Sequence, residues 1–335
     1  MKMTLRAIKI RAAFAATLSF AGIMAFYALP ASSQPPAGGP GGASGRGRGG
    51  GGGGFTHAAK EDFNDHDGFV SLFDGKTLAG WDGDPNLWSV KDGSIYINPT
   101  CEHPTGTVYI VWQGGEVRDF DLKLEMKGTG SINSGIQYRS WITGEPGAPT
   151  PPGRGGGAGG PGGGGRGGSG GRGPGGGSGG FASGGGGRGN AGPCPSGQPR
   201  GTAPDRASQA KWDMGGYQYD FDNNGQYPGQ LYEQSTGRGI ITWMGEVVET
   251  REGKPKQLLA SLGDTATVKS WFNKDDWNTE EIIASGNTLT HLLNGHLLSV
   301  TIDNEKSRAR DHGKIGIEVE STGEVFVRNI WLKKD

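Results

Sequence analysis

The closing stretch GKIGIEVESTGEVFVRNIWLKKD, Gly313–Asp335, constrains the fold of this chain more than any other segment. Its apolar and polar residues alternate with a period of two, the spacing of a strand that buries one face. Ile315, Ile317 and Val319 share one side, while Gly316, Glu318 and Glu320 share the other. After a Ser-Thr-Gly turn, Val325, Val327, Asn329 and Trp331 alternate with Phe326, Arg328, Ile330 and Leu332. A face carrying two carboxylates is polar enough to bind a ligand.

The same period recurs upstream. Asp119–Lys127 points Phe120, Leu122, Leu124 and Met126 inward. Ser134–Trp141 places Gln137 and Arg139 opposite Ile136 and Tyr138, and Gly215–Asp222 sets Tyr217, Tyr219 and Phe221 against Gln218, Asp220 and Asp222. Trp277–Ala284, Thr288–Leu293 and His296–Ile302 read as a meander whose turns, Ser285-Gly286-Asn287 and Asn294-Gly295, are hairpin signals. Asp264–Phe272 reads as a short helix capped by Asp264. Many short strands with regular turns predict an all-β sandwich or jelly roll.

Composition sets the limits of that domain. The chain has 335 residues and 68 glycines, concentrated in Gly38–Gly54 and Gly153–Gly189. Such tracts bury too little apolar surface to offset their ordering entropy. The reading is a signal peptide over 1–33, a Gly-rich linker over 34–65, and one jelly-roll domain over 66–335. A low-complexity insert at about 144–210 interrupts that domain between two strands. Lys2, Arg6, Lys9 and Arg11 precede the apolar run Ala12–Tyr27, and Ala31-Ser32-Ser33 offers small residues for cleavage. A secreted or periplasmic protein with no membrane span after cleavage is expected. The formal charge of −1 gives no case for nucleic acid, and the Arg-Gly tracts read as linkers. Cys101 and Cys194 could form a disulfide or be two unrelated thiols.

The segments GFVSLFDGKTLAGW (Gly68–Trp81), NSGIQYRS (Asn133–Ser140), GYQYDFDNNGQYPGQLYE (Gly216–Glu233), DWNTEEIIASGNTLTHLLNG (Asp276–Gly295) and GKIGIEVESTGEVFVRNIWLK (Gly313–Lys333) resemble the 3-keto-disaccharide hydrolase family, formerly a domain of unknown function. The resemblance implies a concanavalin A-like, glucanase-type jelly roll. It also implies an exported bacterial protein that cleaves glycosides whose sugar carries a ketone at C3. Where relatives often show Gln and His in the last strands, this chain has Glu318 and Glu320.

A C3 ketone acidifies the C2 proton, so a base can remove it and expel the C1 substituent, after which water adds back. Such a route needs a base near C2, a stabiliser for the enolate and an acid for the leaving oxygen. The candidates are Asp220 or His291 as base, Arg139 as stabiliser and Glu233 as a further carboxylate, with Gln137, Gln218, Asn294, Glu318 and Glu320 holding substrate. A divalent ion on Asp220, Glu233 and His291 would also stabilise an enolate. Structural alternatives stand beside these roles. Arg139 could pair with Asp220 across strands, His291 shares a face with Leu289 and Leu293, and Asn294 lies in an Asn-Gly turn. Asp220–Gly225 imitates a calcium loop, but Leu231 replaces the closing Glu, so a strand ending in an Asn-rich turn fits better. A non-catalytic carbohydrate-binding domain is the rival reading, because nine tryptophans offer rings for sugar stacking. An ordinary glucanase of the same fold would carry Glu-x-Asp-x-x-Glu on one strand, and none occurs.

Overall fold

The computed structural model describes residues 62–149, 194 and 198–335. The expected signal peptide, most of the linker and most of the insert lie outside these residues. In chain order the strands are β1 (Val70–Ser71), β2 (Trp81–Gly83), β3 (Ser89–Lys91), β4 (Ser94–Ile97), β5 (Val108–Trp112), β6 (Phe120–Gly128) and β7 (Asn133–Ile142). They continue with β8 (Met214–Asp222), β9 (Leu231–Gln234), β10 (Gly239–Thr242), β11 (Glu246–Arg251) and β12 (Gln257–Ser261). The last are β13 (Asn278–Ser285), β14 (Thr288–Leu293), β15 (His296–Asn304), β16 (Lys314–Glu320) and β17 (Val325–Lys334). The helix α1 (Thr265–Lys269) is capped by Asp264, whose side chain accepts from the Thr267 amide.

Two sheets form a jelly-roll sandwich of the concanavalin A-like type. One runs β12-β11-β15-β14-β13-β6-β17-β4-β3 with β1 on β17, and the other runs β10-β9-β8-β7-β16-β5-β2. Period-two patterning explains the core between them. Phe120, Leu122, Leu124 and Met126 of β6 meet Ile136 and Tyr138 of β7, Tyr217, Tyr219 and Phe221 of β8, and Ile315, Ile317 and Val319 of β16. The Ser-Thr-Gly turn after Glu320 carries the chain from one sheet to the other, since β16 and β17 belong to different sheets.

Two strands depart from strict alternation. In β17 the register slips between Arg328 and Trp331, with Asn329 at φ +50°. The core face therefore passes from Val325 and Val327 to Ile330 and Leu332. In β7 it slips between Tyr138 and Trp141, with Arg139 at φ +45°. A bulge of this kind re-aims the side chains after it. Cys101 and Cys194 form a disulfide with Cα atoms 5.9 Å apart. It ties the loop after β4 to the segment leading into β8.

Candidate active site

The outer face of the seven-stranded sheet gathers its polar residues in three adjacent rows. One row holds Tyr109 of β5, Glu318 of β16, Gly135 of β7 and Asp220 of β8 as successive cross-strand partners. The next holds Gly316, Gln137, Gln218 and Tyr232, and the third holds Glu320, Asn133 and Asp222. Asp220 and Glu318 thus straddle one strand, with backbones about 9–10 Å apart from the usual strand spacing. The Gly135 position is what opens the space between them. A Cβ there would lie 2.5 Å from Gln218 Nε2 and 2.6 Å from the Tyr219 carbonyl oxygen. Gln218 fills the gap and donates to Glu318 Oε2 at 2.9 Å, while accepting from Gln137 Nε2 at 2.6 Å. Gly135→Ala should therefore cost about 1–3 kcal/mol of stability through overpacking and break the Gln218–Glu318 bond. Denaturant unfolding together with kinetics would register both effects.

Burial controls the carboxylates. Asp220 is 8% exposed and Glu318 3% exposed. Desolvation, then the nearby charges of Glu320 and Asp222, push the Asp220 carboxyl up to about 8, although Gln230 Nε2 donates to it at 2.5 Å. Burial first, then Glu320 and Asp220, raises Glu318 well above the carboxylate range. Glu320 is raised by burial too, while accepting from Thr107 Oγ1 at 2.9 Å and Asn133 Nδ2 at 3.3 Å. Three acids on one face thus hold their protons more tightly than free carboxyls, and Asp220, pushed up to about 8, titrates where a general base is useful.

The other four candidates lie elsewhere. The bulge turns Arg139 away from Asp220 and buries it. Its guanidinium donates to the carbonyls of Arg118, Gly286 and Arg310 at 2.7, 2.7 and 3.1 Å, and pairs with Asp119 at 2.9 Å. Neither the enolate role nor a pairing with Asp220 fits that position. His291 faces the core between the sheets. Gly229 O, 3.0 Å from Nδ1, can only accept, so Nδ1 carries the proton and Nε2 accepts from the Tyr138 hydroxyl at 2.8 Å. Burial lowers this imidazole to about 4 and keeps it neutral. Its contact pins the turn at Gly229, where φ is +71° and a Cβ would strike Leu298 Cδ2 at 2.0 Å. The Gly229 amide in turn donates to the Asp220 carbonyl at 2.7 Å, so His291 supports the site from behind.

Glu233 stands opposite Tyr217 in the β8–β9 ladder and faces the interior. Arg238 reaches it through Nε and Nη2, both at 2.7 Å, and bridges to Asp303 of β15 at 2.8 Å. Tyr217 and Thr250 donate to the same Asp303. This network ties one sheet to the other. Glu233→Gln should cost about 3 kcal/mol of stability, because it leaves Arg238 buried with an incomplete set of partners; a thermal melt tests this. Asn294, at φ +50°, donates to Trp271 O at 2.7 Å and holds a turn. Asp220, Glu233 and His291 therefore do not converge on one metal position, and no group of three or more metal-ligating side chains is found among the described residues. The turn after Asp222 is held by that residue, which accepts from the amides of Asn224 and Gln226.

Residues 68–154 and 188–333 match the 3-keto-alpha-glucoside-1,2-lyase-like domain family. The chain belongs to this family. A 3-keto-disaccharide hydrolase of Bacteroides thetaiotaomicron is 35% identical over 81 residues, which cover 22% of this chain and 28% of that relative's length. Among solved structures, a candidate glycosyl hydrolase of Parabacteroides distasonis aligns at 15% identity and TM-score 0.41, covering 80% of this chain and 94% of its own. The carbohydrate-binding module CBM66 of Bacillus subtilis aligns at 10% identity and TM-score 0.38, covering 76% and 96%.

Beyond the residues singled out from sequence, the lyase-like domain places Tyr109, Tyr232 and Gln230 at the carboxylate face. Gln234 Nε2 bonds the Tyr109 hydroxyl at 2.9 Å, and burial with Glu318 nearby raises that phenol well above its ordinary value. Tyr232 is raised by burial and by Asp220, Glu318 and Glu320. Alternation within Leu231–Gln234 carries a signal for Tyr232. The run VYIVW hides Tyr109, because it reads as apolar on both sides.

Proposed function

We propose that this carbohydrate-acting, glycosyl-hydrolase-like protein cleaves 3-keto-glycosides by C2 deprotonation, elimination and hydration at the Asp220–Glu318–Glu320 face. The observation that carries the reading is the cluster itself: three carboxyls in adjacent rows, each with raised proton affinity, beside amide side chains suited to sugar hydroxyls. Ionised Asp220 takes the C2 proton, and the electron pair moves toward the C3 oxygen. Protonated Glu318 donates a hydrogen bond to that developing oxyanion, a task for which a buried neutral carboxylic acid is well suited. The enolate then expels the C1 oxygen, which takes a proton from Glu320, leaving a C1–C2 double bond. Water then adds its oxygen to C1 and gives a proton to the Glu320 carboxylate, restoring that acid, while the proton held by Asp220 returns to C2. Gln137 and Gln218 orient ring hydroxyls. The protein acts outside the cytoplasm, a location supported by its disulfide.

NMR of the protein with a 3-keto-glucoside in D₂O tests this reading. Deuterium at C2 together with a released aglycone is expected. A substrate that binds and is neither exchanged nor cleaved would replace the enzyme with a carbohydrate-binding domain.

A further inference from the structure

The carboxylate face is closed in this structure. Gln137, Gln218, Glu318 and Asp220 are each at most 8% exposed, so a ring-sized ligand reaches them only after something moves. One hydrogen bond shows what lies over them. Gln234 Nε2 donates to the Tyr109 hydroxyl at 2.9 Å, although Tyr109 stands on β5 and Gln234 on β9. Three strands, β16, β7 and β8, separate those two in the sheet. At ordinary strand spacing the gap is about 19 Å, too wide for a tyrosine and a glutamine to bridge over a flat sheet, so the sheet curls toward the pair.

Both side chains lie on the carboxylate side. Tyr109 is the ladder partner of Glu318, whose charge is the first influence after burial to raise its phenol. Gln234 follows Glu233, which faces the interior, and so points outward with Tyr232. The pair therefore spans the strands that carry Glu318, Gln137, Gln218 and Asp220. Its two ends are braced unequally. The Tyr109 ring packs with Val111, Ile142, Trp212 and Met214. Gln234 is half-buried, and Tyr109 is its one side-chain hydrogen-bond partner among the described residues. A single neutral hydrogen bond is a modest net restraint, so the span opens without disturbing the sheet. A hydroxyl and a carboxamide also bond sugar hydroxyls as well as they bond each other.

We propose that Tyr109 and Gln234 form a latch over the carboxylate face, which parts to admit the sugar and then hydrogen-bonds its hydroxyls. The identity of the occupant rests on this face being the reacting site, whereas the latch itself does not. Carbodiimide-driven amide labelling of carboxyl groups, read by peptide mass spectrometry, measures access to Asp220 and Glu318 without turnover. Tyr109→Phe keeps the ring and its packing while removing the hydroxyl, and Gln234→Leu breaks the bond from the other strand. Each should raise labelling of both acids about fivefold over wild type, because loss of one such bond enlarges the open population by that factor. Exposed Asp92 serves as the internal standard. The double variant should go no further than either alone. Unchanged labelling in both single variants overturns the latch. Stopped-flow mixing with methyl 3-keto-glucoside, followed by tryptophan emission, reads the sugar contacts. Association should quicken about fivefold, and dissociation should quicken as well because the sugar loses a partner. Dissociation at the wild-type rate would remove those contacts. Raised labelling in variants of a protein that does not bind this glucoside would keep the latch and sink the elimination chemistry proposed for the face.

Discussion

Asp220→Asn should lower kcat on a 3-keto-glycoside by about 10²–10⁴-fold, the usual contribution of a positioned general base. The substitution preserves shape and the Gln230 contact while removing the proton acceptor. Two pH signatures follow from an acid pushed up to about 8 in the folded protein. In wild type, kcat/KM should climb with pH until Asp220 ionises near 8, and Asp220→Asn should lose that limb. Stability should move in the opposite sense. Unfolded Asp220 ionises near 4, whereas folded Asp220 holds its proton until about 8, so the folded state is progressively disfavoured as pH rises through this window. Asp220→Asn should therefore be the more stable protein at pH 8, by something on the order of 5 kcal/mol, with the advantage fading toward pH 4. Denaturant melts at the two pH values measure it. A variant that keeps wild-type turnover would remove Asp220 from the chemistry, whatever its stability.

Arg139→Ala should destabilise the fold by about 3–5 kcal/mol, because it removes a fully buried side chain and four charge-assisted hydrogen bonds at once. The guanidinium joins three carbonyls from three separate segments as well as Asp119, so its loss unties these segments from one another. The melting temperature should fall on the order of 10 °C for a domain of this size. Arg139→Lys should recover only part of this, because an ammonium cannot reproduce the planar fork. If Arg139→Ala abolished turnover with the melting curve unmoved, the residue would belong to the catalytic face after all.

The two variants separate residues that the sequence places together. Gln137 and Arg139 are two apart on a strand, so period two assigns them one face. The bulge after Tyr138 cancels that assignment, and nothing in the composition of Tyr-Arg-Ser-Trp announces a left-handed arginine. The slip at Asn329 is equally silent in the sequence. His291 was more legible, because Leu289 and Leu293 flank it at strand spacing and both are buried with it. Glu233 was not, because its partners Arg238 and Asp303 meet only when the two sheets stack.

The sequence by itself determined the strands of the core, the inward aromatic stripe of β8, and the placement of Gln218, Asp220, Glu318 and Glu320 on outward faces. These are local consequences of the side-chain period, and each is settled within a few residues of chain. The tertiary structure alone decided that Asp220 and Glu318 share a row across Gly135, that Arg139 and Glu233 hold the sandwich together, and which of the nine tryptophans are buried. Those outcomes depend on cross-strand register, on bulges and on burial. They arise from contacts between segments as far apart as Gln218 and Glu318, which a one-dimensional pattern does not encode.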